Sequence, residues 1–205
     1  MVAADTLSTH QPPDPMLLRA FRVTERVEET HDTVTLVLLA ADGGPPMSFR
    51  PGQFNMFYIF GTGEVPLSIS GDPAHPERLV HTVRAVGAVT DAIVALQPGD
   101  EVGIRGPYGS SWPVSAGSDR DLVIVAGGIG LAPVRPVIYH ALSHRASYRS
   151  VSVVYGARTP QDILYPDEIH EWKARFDTNV HITVDRAAPG WLGDVGVVTP
   201  LLARL

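Results

Sequence analysis

The rhythm of apolar and polar positions changes part-way along this chain. From Leu17 to about Pro113 the apolar positions fall in short runs. TVTLVLLA (33–40) is rich in β-branched residues, and GQFNMFYIF (52–60) is dense in large apolar and aromatic ones. RLVHTVRAV (78–86) alternates, placing Leu79, His81, Val83 and Ala85 on one side, and DEVGIRG (100–106) is a further short strand. Turn residues punctuate these runs at Asp42-Gly43-Gly44-Pro45-Pro46, Pro51-Gly52, Asp72-Pro73 and Pro98-Gly99. Short strands at this spacing predict a small antiparallel β-barrel or sandwich. One short helix is expected in TDAIVALQPGD (90–100), with apolar Ala92, Ile93 and Leu96 and a stop at Pro98.

Beyond the linker SAGSDRD (115–121) the periods lengthen. LVIVAG (122–127) is a continuous apolar strand, as expected where both faces are covered. APVRPVIYHALSHRA (132–146) reads as a helix whose face is Val134, Val137, Ile138, Ala141 and Leu142. SVSVVYGAR (150–158) is a second strand. YPDEIHEWKARF (165–176) is a second helix, with Asp167 and Glu168 at its start, Lys173 and Arg175 at its end, and a buried stripe of Ile169, Trp172 and Phe176. NVHITVD (179–185) is a third strand, and GVVTPLLARL (196–205) begins a helical segment. Strand–helix–strand–helix–strand predicts a parallel, right-handed α/β unit. The division expected is a tail at 1–15, a barrel domain at 16–116, and an α/β domain at 117–205. A doubly wound sheet would add further strands after Leu205, so this second domain reads as incomplete.

Composition narrows the function classes. The 205 residues carry 16 Lys and Arg against 22 Asp and Glu, an acidic balance that argues against a broad nucleic-acid footprint. No apolar run is long enough to span a bilayer. The start, MVAADTLSTHQPPDP, has neither the basic end nor the apolar centre of a secretory signal and reads as a disordered tail. Cysteine is absent, which removes disulfides, thiolate nucleophiles and a cysteine-held iron–sulfur cluster of the chain's own; cytoplasm is the default compartment.

The sharpest chemical signal is VIVAGGIGLAPVRP (123–136). Gly127, Gly128 and Gly130 stand where the first parallel strand hands over to its helix, and glycine there would allow positive φ angles and leave no side chains in the way. A pyrophosphate could then approach the N–H groups of the helix start at Leu131 and Ala132. Pro133 suits the first helical position, with Pro136 close behind. Gly128-x-Gly130 matches half of the G-x-G-x-x-G pattern, with Pro133 at the third glycine's position. The second strand ends in Tyr155-Gly156-Ala157-Arg158 without an acid to hold a ribose, so Arg158 either faces a phosphorylated ribose or faces solvent. A tight turn with no ligand is the competing reading of the loop.

Other constellations are weaker. His140 and His144 have metal-pair spacing but no third ligand nearby in sequence, so a solvent-facing pair is favoured. His181 and Asp185 read as surface residues, Trp172 as core, and Asp167-Glu168 as a helix start. Ser110-Ser111-Trp112 lacks a nucleophile-elbow context.

Taken in order, RPGQF (50–54), PLSIS (66–70), GPYG (106–109), GGIGLAP (127–133) and YGAR (155–158) resemble the ferredoxin–NADP reductase superfamily over about residues 21–199. Within it the chain is most similar to the gamma subunit of multi-subunit [NiFe] hydrogenases. The equivalent subunit of anaerobic sulfite reductase and the electron-transfer subunit of dihydroorotate dehydrogenase are near relatives.

The resemblance implies a barrel holding FAD, an α/β domain receiving NADH or NADPH, and electrons passed singly to iron–sulfur and catalytic subunits of a redox complex, hydrogenase first among them. Nucleic acid, a membrane span and a metal site are not expected. In the family's Arg-x-Tyr-Ser flavin motif this chain has Val65 and Leu67 for the arginine and tyrosine. Ser68 matches as the residue at the reactive edge of the flavin, and Pro66, Leu67 and Ile69 flank it. Val83, Arg84 and Thr90 are the expected phosphate-side contacts, with Arg84 replacing the lost arginine. Gly127, Gly128, Gly130, Leu131, Ala132 and Pro133 match the dinucleotide loop, and Gly156, Ala157 and Arg158 the adenosine side. Gly106 and Gly109 are expected to shape the junction between the domains. Relatives continue into a Cys-Gly-Pro segment and, in the hydrogenase type, a cysteine cluster for [2Fe–2S]. The chain stops before both, so the alternative is a truncated, cofactor-poor remnant acting as an interaction subunit.

Overall fold

The computed structural model describes residues 14–205, so the tail expected at 1–15 lies outside the described residues except for Asp14 and Pro15. Six antiparallel strands come first: β1 (Arg19–Thr30), β2 (Thr33–Ala40), β3 (Phe54–Ile59), β4 (Gly63–Ser68), β5 (Leu79–Arg84) and β6 (Glu101–Tyr108), in the order β4-β3-β6-β1-β2-β5. Just past β4 the chain crosses to β5. Ile69 bridges His81, and the Ser70 N–H donates to the Val80 carbonyl at 2.9 Å. The two edge strands therefore meet, and the sheet closes into a barrel whose edges are largely satisfied.

Alternation puts Phe21, Val23, Leu36, Leu38, Phe57, Val83, Val102 and Ile104 inside, with α1 (Ala88–Val94) capping one end through the fully buried Ile93. Two of these strands, β1 and β4, are more polar than the rest, and pattern alone does not single them out. Strand β2 buries residues on both faces: Leu36 and Leu38 point into the barrel, while on the outer face Thr35 hydrogen-bonds Thr82 and Val37 lines a cavity that faces the start of α3.

That layer is a parallel sheet, β10-β9-β8-β7, made of β7 (Asp121–Gly127), β8 (Ser150–Ala157), β9 (Asn179–Val184) and the two-residue β10 (Asp194–Val195). Helix α2 (Leu131–Ser143) connects β7 to β8, and α3 (Pro166–Ala174) connects β8 to β9. Ile124, Ala126, Ile138, Val153, Tyr155, Ile169 and Trp172 form its core.

Three expectations change. Strand β7 is covered on one face only: Ile124 and Ala126 are buried against α2, while Val123 and Val125 on the opposite face stay more than 40% exposed, because no element among the described residues covers that face. Phe176 leaves the apolar stripe. Helix α3 ends at Ala174, Arg175 turns to extended backbone, and the ring of Phe176 points fully into solvent. The helical segment near the C-terminus is a 3₁₀ turn, Thr199–Arg204, preceded by β10, which no apolar pattern marks.

Candidate functional site

The glycine turn sits at the C-terminal end of β7, where open parallel sheets receive ligands. Its backbone departs from expectation. Only Gly128 has a positive φ, +52°; Gly127 is extended at −134° and Gly130 is helical at −63°. Gly128–Gly130 form a 3₁₀ turn, so α2 starts at Leu131, and Pro133 is its third residue rather than its first. Proline is tolerated there because the first turn's N–H groups have no intrahelical partner. Pro136 lies inside the helix and forfeits one ladder bond.

The space around the three glycines is empty. A Cβ added at Gly127, Gly128 or Gly130 would meet nothing within 4 Å. Crowding inside the chain therefore explains none of them, and backbone strain explains one. The bare surface opens on a groove of about 390 Å³ bordered by Arg84, Arg158, Asp185 and Val198 as well as Gly127 and Gly128. Leu131, Ala132 and Ala157 are buried in the core, so a ligand would meet their main chain only, and the Leu131 N–H is already turned back onto the Gly128 and Ile129 carbonyls. Arg158 is exposed at the rim.

Gly156 has a different cause: a Cβ there would lie 2.7 Å from Val198 Cγ1, so glycine makes room for the chain's own C-terminal segment. Gly106 and Gly109 are likewise packing positions. A Cβ on Gly106 would collide with Asn55 Oδ1, and one on Gly109 would press on the Phe54 ring at 3.1 Å.

Arg84, at the end of β5, joins the barrel to this groove. Its Nε donates to Asp32 Oδ2 at 2.7 Å, and both residues also line a small cavity of about 40 Å³ with Gly128 and Arg158. Burial raises the Asp32 carboxyl pKa, but hydrogen bonds from Arg84, Thr33 and Thr30 outweigh it and hold the acid below its usual range. Sequence reasoning misses Asp32; its only signal there is a turn acid two residues after Thr30.

The structure does not bring the remaining residues into this groove. Pro66, Leu67 and Ser68 lie on β4, respectively exposed, half-buried and half-buried, and Ser68 Oγ makes no hydrogen bond among the described residues. Ile69 and Val83 point into the barrel core, leaving only their main chain for a ligand. Thr90 is committed to its own helix. Its hydroxyl accepts from the Val86 and Gly87 N–H groups at 2.9 and 3.0 Å and donates to the Gly87 carbonyl at 2.9 Å. It closes α1 rather than presenting a free donor, because Gly87 at the N-cap has no side chain to do so.

Behind Ser68 stands the fully buried His81. Its Nδ1 is 2.9 Å from the Ser68 carbonyl, and its Nε2 is 3.1 Å from Asn55 Nδ2. That pairing makes Nδ1 the protonated nitrogen. Burial lowers the ring's pKa to about 4.

His140 and His144 stack on each other at 4.3 Å on the solvent side of α2, and no group of three or more metal-ligating side chains exists among the described residues. Trp172 is core, as expected. A cavity of about 660 Å³ lies away from the glycine turn, between the outer face of β1 and β2 and the start of α3. No helix of the described residues is long and apolar enough to cross a membrane.

Comparison with known proteins agrees with this arrangement. The family model for the oxidoreductase NAD-binding domain matches residues 124–204. Sulfhydrogenase 1 subunit gamma of Pyrococcus furiosus is 38% identical over 149 residues, covering 71% of this chain and 51% of the relative. A probable dihydroorotate dehydrogenase B (NAD(+)) electron transfer subunit of Methanocella arvoryzae is 33% identical over 171 residues, covering 83% and 58%. The chain thus spans about half the length of these curated relatives. Among solved structures, the FAD/NAD binding domain of Vibrio cholerae nitric oxide dioxygenase superposes with a TM-score of 0.75 at 19% identity, covering 88% of this chain and 80% of that one. The Amycolatopsis cytochrome P450 reductase gives 0.76 at 25% identity, covering 91% and 58%.

Proposed function

Because this chain belongs to the ferredoxin–NADP reductase-like superfamily, sharing its barrel, its parallel sheet and its oxidoreductase NAD-binding domain, we propose that it is a flavin-dependent NAD(P)H oxidoreductase subunit of a cytoplasmic redox complex. The partners in this reading are iron–sulfur and catalytic subunits of hydrogenase type; a dihydroorotate dehydrogenase or sulfite reductase complex is the variant form. FAD, when bound, supplies two-electron chemistry toward the nicotinamide and one-electron chemistry toward the iron–sulfur partner.

The observation that carries the reading is the glycine turn. Three side chains are missing where nothing in the chain needs the space, at the sheet end where a dinucleotide's phosphates would lie. The turn admits the diphosphate without steric cost, and Arg158 at the rim meets the negative charge of the adenosine end. On the barrel, the unbonded Ser68 hydroxyl would supply a hydrogen bond at the flavin's edge, and Leu67 would shield a ring face from water. Arg84 supplies positive charge next to the groove, tempered by its pairing with Asp32.

The test is reconstitution of the purified chain with FAD under anaerobic conditions, followed by NADH or NADPH. A yellow protein that bleaches with reduced nicotinamide supports the enzyme. A chain that stays colourless after FAD is added and desalted is the interaction subunit instead.

A further inference from the structure

One residue belongs to neither cofactor contact set yet touches both halves of the molecule. Arg135 lies on α2, five residues past Gly130, and is only 9% exposed. Its guanidinium forms a two-point ion pair with Glu168 of α3, through Nη2 to Oε1 and through Nε to Oε2 at 3.2 Å. It also reaches out of its own layer: Nη1 donates to the Ser70 carbonyl of the barrel at 3.3 Å. The plane lies 4.0 Å over the Tyr165 ring. That ring is pinned in turn, its hydroxyl donating to Thr82 Oγ1 at 2.6 Å and its main-chain N–H to Glu29 Oε2 at 3.0 Å. Thr82 continues the network to Ser70 Oγ at 3.0 Å and Thr35 Oγ1 at 2.9 Å.

Burying a guanidinium is costly before pairing, and a Met or Leu of similar volume would fill the site without that cost. What arginine adds is direction. A planar fork carries its donors on three separate nitrogens, so it grips both oxygens of Glu168 with Nε and Nη2 while Nη1 reaches Ser70; an ammonium's three donors radiate from one atom and cannot make that two-point grip and span to a carbonyl on the other side. The two things it holds together are specific. Helix α2 opens with the glycine turn. Ser70 stands two residues beyond Ser68 on the segment that leaves β4 for β5.

We propose that Arg135 is a positioning residue that fixes the dinucleotide turn relative to the flavin-edge segment Pro66–Ser70, and so sets the separation of the two cofactors. The inference rests on the flavin and nicotinamide reading above.

The experiment compares Arg135→Lys and Arg135→Met with the parent chain, using two readouts. Since the chain has no cysteine, spin labels can be placed cleanly at Thr62→Cys on the barrel and Lys173→Cys on α3, both exposed. Their distance distribution reports how firmly the layers are held, with or without cofactor. The second readout is the single-turnover rate of flavin reduction at saturating NADH, alongside separate dissociation constants for FAD and NADH.

Arg135→Lys keeps a cation for Glu168 but cannot span to Ser70 as well. We expect its fold retained, both affinities within about threefold of the parent, a broadened distance distribution, and flavin reduction slower by about tenfold. Arg135→Met is expected to broaden the distribution equally and to melt earlier, since it removes the counter-charge of Glu168 and leaves that carboxylate only the Tyr139 hydroxyl, 2.7 Å from Oε2. A Lys variant with the parental distribution, or a broadened one with the parental rate, overturns the proposal. A parent that binds neither cofactor, while its distances still broaden in the Lys variant, overturns the flavin reading and leaves the clamp between layers standing.

Discussion

The imidazole of His81 donates from Nδ1 to the Ser68 carbonyl, 2.9 Å away, across the seam where the barrel closes. The ladder with β3 runs one residue further, where the Ile69 N–H donates to the Gln53 carbonyl at 3.0 Å; Ser68, paired with Phe54, is at the alternate position, so its carbonyl faces away from β3 and the His81 side chain supplies its bond. The ring is held neutral, with its folded pKa at about 4 against an ordinary value of 6.5. The consequence for stability follows from linkage. Above pH 6.5 neither state takes up the proton, and the stability is full. Between 6.5 and 4 the unfolded chain is protonated while the folded chain is not, so stability falls with falling pH, by about 3 kcal/mol in all. Below 4 both are protonated and this contribution stays flat. Denaturant unfolding at pH 7.5 and 4.5 should show that loss in the parent and a smaller one in His81→Leu. Equal losses in both chains would remove His81 from the explanation.

The glycines of the turn should separate function from folding. Gly127→Ala and Gly130→Ala place a methyl group in open space at ordinary φ, so unfolding midpoints should stay level or rise slightly. Binding of NADH, followed by calorimetry, should weaken by about tenfold or more as the methyl groups occupy the ligand's path. Unchanged affinity in both variants would mean that the turn faces no ligand.

Gly156→Ala should behave in the opposite way. The new methyl group meets Val198 at 2.7 Å, and relieving that contact should cost about 1–3 kcal/mol of stability. Val198→Ala in the same chain should recover most of the loss. A double-mutant cycle that shows no coupling would separate the two residues.

Arg84 and Asp32 should have opposing effects on FAD affinity. Removing the cation in Arg84→Ala loses a charge-assisted hydrogen bond, worth about 1.5–3 kcal/mol, or roughly tenfold or more in the dissociation constant. Asp32→Asn releases Arg84 from its 2.7 Å pairing and removes a negative charge beside the groove, so affinity should rise several-fold. Fluorescence titration reads both. Weaker binding in Asp32→Asn would show that the acid orients the arginine rather than competing for it.

Two aromatic residues of one sequence stripe should part company in thermal melts. Trp172→Ala empties a site 3% exposed and should cost about 3–5 kcal/mol, while Phe176→Ser alters a ring wholly in solvent and should shift stability by less than about 0.5 kcal/mol.

The chain's own pattern determined most of the strands and helices and the order in which the two sheets follow. Thr33–Ala40 is a strand over the very residues its β-branched run marks, and Val137, Ile138 and Ala141 form the buried face that helical spacing assigns them. These features are local, because a period of two or of 3.6 is written into neighbouring residues. Strands β1, β4 and β10 carry no such signature: β1 is long but polar, and β10 is two residues long and owes its existence to pairing with β9.

The tertiary structure decided what each candidate side chain is free to do. Gly127 and Gly156 look alike in sequence, yet one faces empty space and the other faces Val198. Thr90 looks like a donor for a phosphate and is consumed by the turn at Gly87. Arg135 looks like an ordinary helix residue and proves to bridge two layers through Ser70 and Glu168, which lie 65 and 33 positions away. Such roles depend on which groups the folded backbone brings within about 3 Å, whether from the next turn, as at Thr90, or from distant parts of the chain, as at Arg135. Hydrogen bonds and close contacts act only at that range, so they are set by packing that local periodicity does not encode.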